Sequence, residues 1–332
     1  MPESPSHRQS PSIEDHVRGV LDCDRAIVAR TITLVESNAP AHFEKAQEVL
    51  QRLLPHSGRS IRVGITGVPG AGKSSLIESL GMVLIEQGHK VAVLAIDPTS
   101  TRTGGSILGD KTRMEKLSHQ PQAFIRPSPT GGMLGGVGRK TLESILVCEA
   151  AGYNVILVET VGTGQSEVTV RSMVDFFLLV LITGAGDELQ GIKKGVIELA
   201  DAITINKADG ENKLKAQVAR TEYNRALHYL TPATEGWQTR VHTCSALTGN
   251  GVSELWSVIE TFHQQMLESG VFQVRRQQQL LAWLHRLIEE QLHRFFYDQP
   301  PVKAALPEIE QAVTKGQIPP TVAAQQLLDL LK

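Results

Sequence analysis

The segment Gly67-Val68-Pro69-Gly70-Ala71-Gly72-Lys73-Ser74 stands between the apolar run IRVGIT and the helix-patterned SSLIESLGMVLIEQ. A strand that ends in such glycines and turns directly into a helix narrows the possible folds more than any other feature of the chain. The glycines let successive backbone N–H groups point into one hollow, and the following helix aims its positive end at the same place. A polyphosphate fits that hollow. Lys73 can bridge its outer phosphates, and the Ser74 hydroxyl can ligate Mg²⁺. Residues Gly67 through Ser75 are therefore the candidate phosphate-binding segment. The competing reading is a glycine-rich turn with a chance lysine.

The strand–helix alternation continues downstream. KVAVLAIDP, AFIRPSP, NVILVET, FFLLVLIT, DAITINKAD and RVHTCSA are short apolar runs separated by helical segments. Runs that are apolar on both faces suit strands of a mostly parallel sheet covered by helices on each side. The fold class is α/β, a P-loop domain over residues 61–268. Ahead of it, a polar tail precedes apolar positions at helical spacing, such as Ile27, Ile32, Ala46, Val49 and Leu53, with Pro40 between the runs. Two or three N-terminal helices are expected within residues 1–60. Residues 269–332 read as a C-terminal helical arm. Its long first helix carries Leu281, Leu284, Leu287, Ile288 and Leu292 on one broad face. Pro300 and Pro301 end that helix, and Leu306–Lys332 supplies one or two short ones. The apolar stripe needs cover, from a second copy or from the chain's own P-loop domain.

Several loops leave the carboxyl ends of these strands, where open α/β sheets bind ligands. Asn206-Lys207-Ala208-Asp209 follows the run AITI. The Asp209 carboxylate can accept two hydrogen bonds from guanine, from N1–H and the exocyclic amine. Adenine offers neither donor and would leave the carboxylate unpaired, at about 2 kcal/mol or more. Asn206 would pin the loops, and the Lys207 stem would lie along the base. Ser245-Ala246-Leu247, after the last strand, resembles the short GTPase loop whose backbone N–H meets the guanine carbonyl. Glu159, ending NVILVE, could hold Mg²⁺ directly or through water, and Gly162 could let the backbone meet a γ-phosphate and relax after hydrolysis. Asp97 and Asp110 are two further candidates for the metal's acidic shell, although acids at strand ends are often only helix caps.

Composition removes other classes. With 33 basic and 35 acidic residues the net charge is −2, so no overall positive field exists to hold nucleic acid or an anionic membrane. The three cysteines, Cys23, Cys148 and Cys244, exclude a disulfide scaffold and a four-thiolate zinc site, and fit a reducing compartment. The N-terminus is polar where a signal peptide needs an apolar stretch, and no run approaches the roughly 18 uncharged apolar residues of a membrane span. A soluble, cytoplasmic protein is expected.

Taken in order, GVPGAGKS, AIDPTSTRTGGSILGDKTRM, RPSPTGGMLGG, ETVGTGQSE, TGAGDELQGIKKG and NKAD closely resemble the MeaB/ArgK family of GTPases, which is related to the human methylmalonic aciduria type A protein. The resemblance implies a G-protein chaperone for the adenosylcobalamin enzyme methylmalonyl-CoA mutase, gating cofactor loading and protecting or reactivating that enzyme. It also implies a homodimer joined by the C-terminal arm. By matching motif, Lys73 and Ser74 serve phosphate and metal, Asp97, Asp110 and Glu159 form the acidic shell, and Asp209 reads the base. Arg113 could add positive charge at the phosphates, or be a solvated helix position. Thr183–Gly195 resembles an additional mobile loop of the family, with Lys193 and Lys194 toward the partner. No cobalamin-binding Asp-x-His-x-x-Gly group occurs, so that cofactor is expected on the partner.

Hydrolysis of GTP to GDP needs an oriented water. Where a Ras-like enzyme has glutamine after the switch glycine, this chain has Thr163, with Gln165 two residues on. Slow intrinsic turnover, raised by the partner, is the expectation. Two alternatives use the same phosphate loop: a kinase acting on a protein or small molecule, as an older arginine/ornithine transport name in the family implies, and a scaffold that binds nucleotide without turnover.

Overall fold

The protein is described by a computed structural model over residues 11–97, 114–129, 134–160, 166–183 and 194–331. Three helices come first. Helix α1 (Ile13–Leu21) is opened by a capping box in which Ser12 and Asp15 exchange hydrogen bonds. Helix α2 (Arg25–Glu36) is capped by the Asp24 carboxylate, and α3 (Pro40–Leu53) starts on proline, which needs no N–H at that position. Strand β1 (Ile61–Gly67) leads into α4 (Lys73–Glu86). Then come β2 (Val91–Asp97), the single turn α5 (Glu115–Ser118), β3 (Ala123–Pro129), α6 (Leu134–Ala150), β4 (Val155–Thr160) and the short α7 (Ser166–Arg171). Strand β5 (Phe176–Leu181), α8 (Lys194–Glu198), β6 (Ala202–Ile205), α9 (Asn212–Leu227), β7 (Arg240–Thr243) and α10 (Val252–Glu268) follow. The chain ends in α11 (Val271–Tyr297), α12 (Pro300–Thr314) and α13 (Pro320–Asp329).

The seven strands form one sheet in the order β3-β2-β4-β1-β5-β6-β7, with every pairing parallel. All seven apolar runs of the sequence become strands. Alternation along each strand splits the core into two layers. Val63, Ile65, Val91, Val93, Leu157 and Leu178 face α4 and α10, where Trp256, Ile259 and Phe262 are buried. Ala92, Leu94, Ile156, Val158 and Phe177 face α6 and the three N-terminal helices, which bury Val28, Ile32, Val49 and Leu53. At roughly 25 cal/mol per Å² of apolar surface, these two layers supply most of the drive to fold. A smaller cluster of Leu179, Ile203, Val241 and Tyr223 closes the β7 side.

Strand β1 is central, flanked by β4 and β5, and the chain crosses to opposite sides of it before and after β4. The phosphate-loop segment therefore leaves the sheet at its switch point, the usual ligand crevice of such sheets.

Residues up to Gln277 make one compact unit and Gln278–Lys332 a second. In the second, the prolines at 300 and 301 open α12 as well as ending α11, so the helix expected from Leu306 starts six residues earlier. Proline fits the first helical turn, whose N–H groups have no partner within the helix. No described helix is long and apolar enough to cross a membrane.

Candidate functional site

Backbone geometry builds the site before any side chain does. Gly67 ends β1 at φ +149, where a Cβ would sit 2.0 Å from the Val180 carbonyl of β5. Gly72 caps α4 in the left-handed region at φ +80, and a Cβ there would meet the Asn206 amide at 2.7 Å. Larger residues at these two positions would force the loop off the sheet rim.

Within the loop, Lys73 is buried and donates to the carbonyls of Gly67 at 2.9 Å and Val68 at 3.2 Å. Burial lowers its pKa, and the carboxylates of Glu159 and Glu167 oppose that shift. An ammonium solvated by two carbonyls and faced by two acids is ready to exchange those acceptors for phosphate oxygens. Ser74 donates to Glu159 Oε1 at 2.9 Å, which joins the start of α4 to the end of β4. This hydroxyl–carboxylate pair is an all-oxygen donor set suited to a hard divalent cation. Among the described residues no group of three or more His, Cys, Asp or Glu forms a metal cluster.

The second half of the site comes from β6 and β7. Asn206 is buried; its Nδ2 donates to the carbonyls of Ala71 at 2.9 Å and Gly72 at 3.4 Å, and its Oδ1 accepts from Ala246 N–H at 3.1 Å. One carboxamide thus ties the phosphate-loop backbone to both loops expected around the base. Asp209 accepts a short hydrogen bond from the buried Ser245 hydroxyl. Lys207 is exposed and holds φ +59, a left-handed conformation uncommon outside glycine, and its Cε lies 3.8 Å from where a Gly72 Cβ would stand. Between these groups lies a cavity of about 720 Å³, bordered by Gly72, Ser75, Lys207, Asp209, Ala246 and Leu247. It continues along α4 past Glu78, Ser79 and Met82 to Lys116. Leu247 is 87% exposed at its lip.

The structure therefore brings together Gly67 through Ser75, Glu159, Asn206, Lys207, Asp209, Ser245, Ala246 and Leu247. Asp110, Arg113, Gly162, Thr163, Gln165 and Lys193 lie outside the described residues, as do the side chains of Asp97 and Lys194.

Sequence reading missed several groups. Thr160 donates to Thr66 at 2.8 Å in a buried pair that joins the ends of β4 and β1. Glu167 is buried and acts on Lys73 through space. Glu78 accepts from the Lys116 N–H at 2.7 Å and so caps α5 from α4. None of these has a motif; each needs two distant segments in register.

A family model, "Methylmalonyl Co-A mutase-associated GTPase MeaB", matches residues 28–300. A "Putative GTPase" of Caulobacter vibrioides is 54% identical over 305 residues, covering 92% of this chain and 93% of its own. The "Methylmalonic aciduria type A homolog, mitochondrial" of Mus musculus is 44% identical, over 99% of this chain and 82% of its own length. Among solved structures, that of an "LAO/AO transport system kinase" superimposes with a TM-score of 0.76 at 38% identity, covering 96% of this chain and 97% of that one.

Proposed function

This chain belongs to the MeaB family of methylmalonyl Co-A mutase-associated GTPases, and from that premise we propose that it is a G-protein chaperone of methylmalonyl-CoA mutase. It is a GTPase and binds guanine nucleotide, as its relatives' names state. In our reading its GTP cycle gates adenosylcobalamin loading and protects or reactivates the mutase, and the cobalamin sits on the partner.

The single observation that carries the site assignment is the Asn206 carboxamide, bonded at once to the phosphate-loop backbone and to Ala246 N–H beside Asp209. A ligand that fills both halves of this crevice has a polyphosphate at one end and a purine at the other. The main-chain amides of 67–75 and Lys73 hold the phosphates, Asp209 accepts from guanine, and Ala246 N–H lies toward the guanine carbonyl. Ser74 and Glu159, with Asp97 and Asp110, would hold Mg²⁺, which supplies neutralising charge at the phosphates. Lys73 adds positive charge as it builds on the transferring group, and Arg113 could assist. No glutamine directly follows Gly162, so water is poorly oriented in the isolated protein and turnover is slow. The partner raises it by reordering the loops at Asp97 to Asp110 and Gly162 to Gln165.

The domain division at residues 60/61 and 268/269 follows this reading, with the arm as a homodimerisation element. In its support, α11 has no buried residue, and Leu281, Leu284, Ile288 and Leu292 are all at least 46% exposed. Such a stripe normally finds a partner. Three free cysteines suit a reducing, cytoplasmic setting.

The test is GTP turnover by the full chain with and without methylmalonyl-CoA mutase; the expected result is a clear rise with the mutase, and equal rates would remove the switch. A kinase reading draws on the name of the solved relative. Label from γ-phosphate should appear as free phosphate under our reading, and on an acceptor under the other.

A further inference from the structure

Behind the Asn206 carboxamide the structure contains a buried polar chain that no motif announces. The Thr204 hydroxyl on β6 is fully buried and donates to Cys244 Sγ at 3.2 Å. The Cys244 thiol, just past β7 and also buried, donates in turn to Asn206 Oδ1 at 3.7 Å. Cys244 is fixed from both sides by its backbone, since its N–H donates to Ile205 O at 3.0 Å and its carbonyl accepts from Ala208 N–H at 3.0 Å. The main chain at Cys244 is thus pinned at the junction of β6 and β7, and the sulfur is placed by its two side-chain bonds, to Thr204 and to Asn206. Burial pushes the thiol pKa up to about 11, so sulfur keeps its proton and its donor role through the neutral range.

The two ends of the Asn206 carboxamide have opposite needs. Its oxygen faces two donors, Cys244 S–H and Ala246 N–H, and its nitrogen faces two acceptors, the carbonyls of Ala71 and Gly72. Turning the amide over would set donor against donor and acceptor against acceptor. Of the two donors on the oxygen side, only the thiol belongs to a side chain and can be removed by substitution.

We propose that Cys244 is a positioning residue for nucleotide binding: its thiol proton, oriented by Thr204, holds the Asn206 carboxamide so that the base loops and the phosphate loop stay in register. The proposal rests on the nucleotide-site reading above. Cys244 touches no ligand and acts only through Asn206. A thiol is a weak donor, so its loss should weaken GTP and GDP alike by about fivefold.

The experiment measures GTP and GDP dissociation constants by calorimetry with Mg²⁺ for the full chain, Cys244→Val, Cys244→Ser, Asn206→Ala and the double variant Cys244→Val/Asn206→Ala. Valine keeps an apolar volume and removes the donor; serine keeps a donor and loses apolar character. Expected are about fivefold weaker binding for Cys244→Val and less than twofold for Cys244→Ser. Cys244→Val should have no further effect once Asn206 is alanine. Thermal melts of each variant show that it is folded at the binding temperature. A role in packing alone would reverse the order of valine and serine, because a buried hydroxyl is the poorer filler, and would make the two substitutions additive; either result overturns the proposal. Wild-type protein that binds no guanine nucleotide would instead overturn the nucleotide-site reading itself, and this inference with it.

Discussion

The two ends of the sheet carry similar charged residues and use them in opposite ways. At the carboxyl ends, Lys73 donates, among the described residues, to two loop carbonyls, and Lys207 and Asp209 border an open cavity. At the amino ends, charges are closed on one another. Arg276 at the start of α11 grips Asp175 through two bonds of 2.6 Å, and Arg62 at the start of β1 grips Glu149 through bonds of 2.8 and 2.9 Å. Glu149 also accepts from Ser60 and from Gly58 N–H, and Asp175 accepts from Arg62 N–H. Beside them Arg171 pairs with the fully buried Asp201, which also accepts from Phe177 N–H. Arg276 further lies over the Phe272 ring at 4.9 Å. A buried charge saturated by partners has nothing left for a ligand. Those at the rim do, and this separates binding from scaffolding without any appeal to residue type.

Four substitutions or conditions sharpen that contrast. The largest effect belongs to the closed end: Asp175→Ala strands Arg276 in a buried site and should cost about 3–5 kcal/mol in denaturant unfolding. The folded fraction should bind GTP normally. Next is Lys73→Ala, expected to weaken GTP roughly 100-fold by calorimetry, since charge-assisted contacts to phosphate disappear. Its melting temperature should match or exceed wild type, because burial disfavours the lysine charge in the free protein. A large loss of stability there would place Lys73 with the scaffold instead. Third, Asp209→Asn should weaken GTP about 30-fold and favour xanthosine triphosphate, through the changed donor pattern of the base edge.

The smallest effect is a pH dependence. Burial pushes the Glu149 carboxyl up, but the Arg62 and Arg276 charges and the Ser60 hydrogen bond outweigh it, so its pKa lies below the ordinary value of 4.5. A lowered folded-state pKa contributes stability above the unfolded-state value, and that stability is lost as pH falls through the lowered one. The melting temperature should therefore decline below about pH 4.5 in wild type, and less steeply in Glu149→Gln.

Most of the fold and half of the site were legible in the sequence, for identifiable reasons. Strands buried on both faces leave continuous apolar runs, which is why even the four-residue β6 is legible, whereas the edge strand β7, RVHT, buries only Val241 and is marked more weakly. The phosphate loop and Asn206–Asp209 were legible because their chemistry sits in consecutive residues. The Thr204–Cys244–Asn206 chain and the Arg276–Asp175–Arg62–Glu149 cluster were not, because each is assembled through bonds between residues 38 to 113 apart in sequence and appears only once parallel strands fix the register. The double role of Pro300 and Pro301 was missed for a different reason: proline stops one helix and starts another equally well, and position alone does not tell which.

The most direct test of the account is calorimetry of the wild-type chain with GTP and with ATP, each with Mg²⁺. If the Asp209 carboxylate meets the base edge opposite the phosphate loop, GTP should bind at least about 30-fold more tightly than ATP, the equivalent of roughly 2 kcal/mol. Equal affinity for the two nucleotides would contradict it.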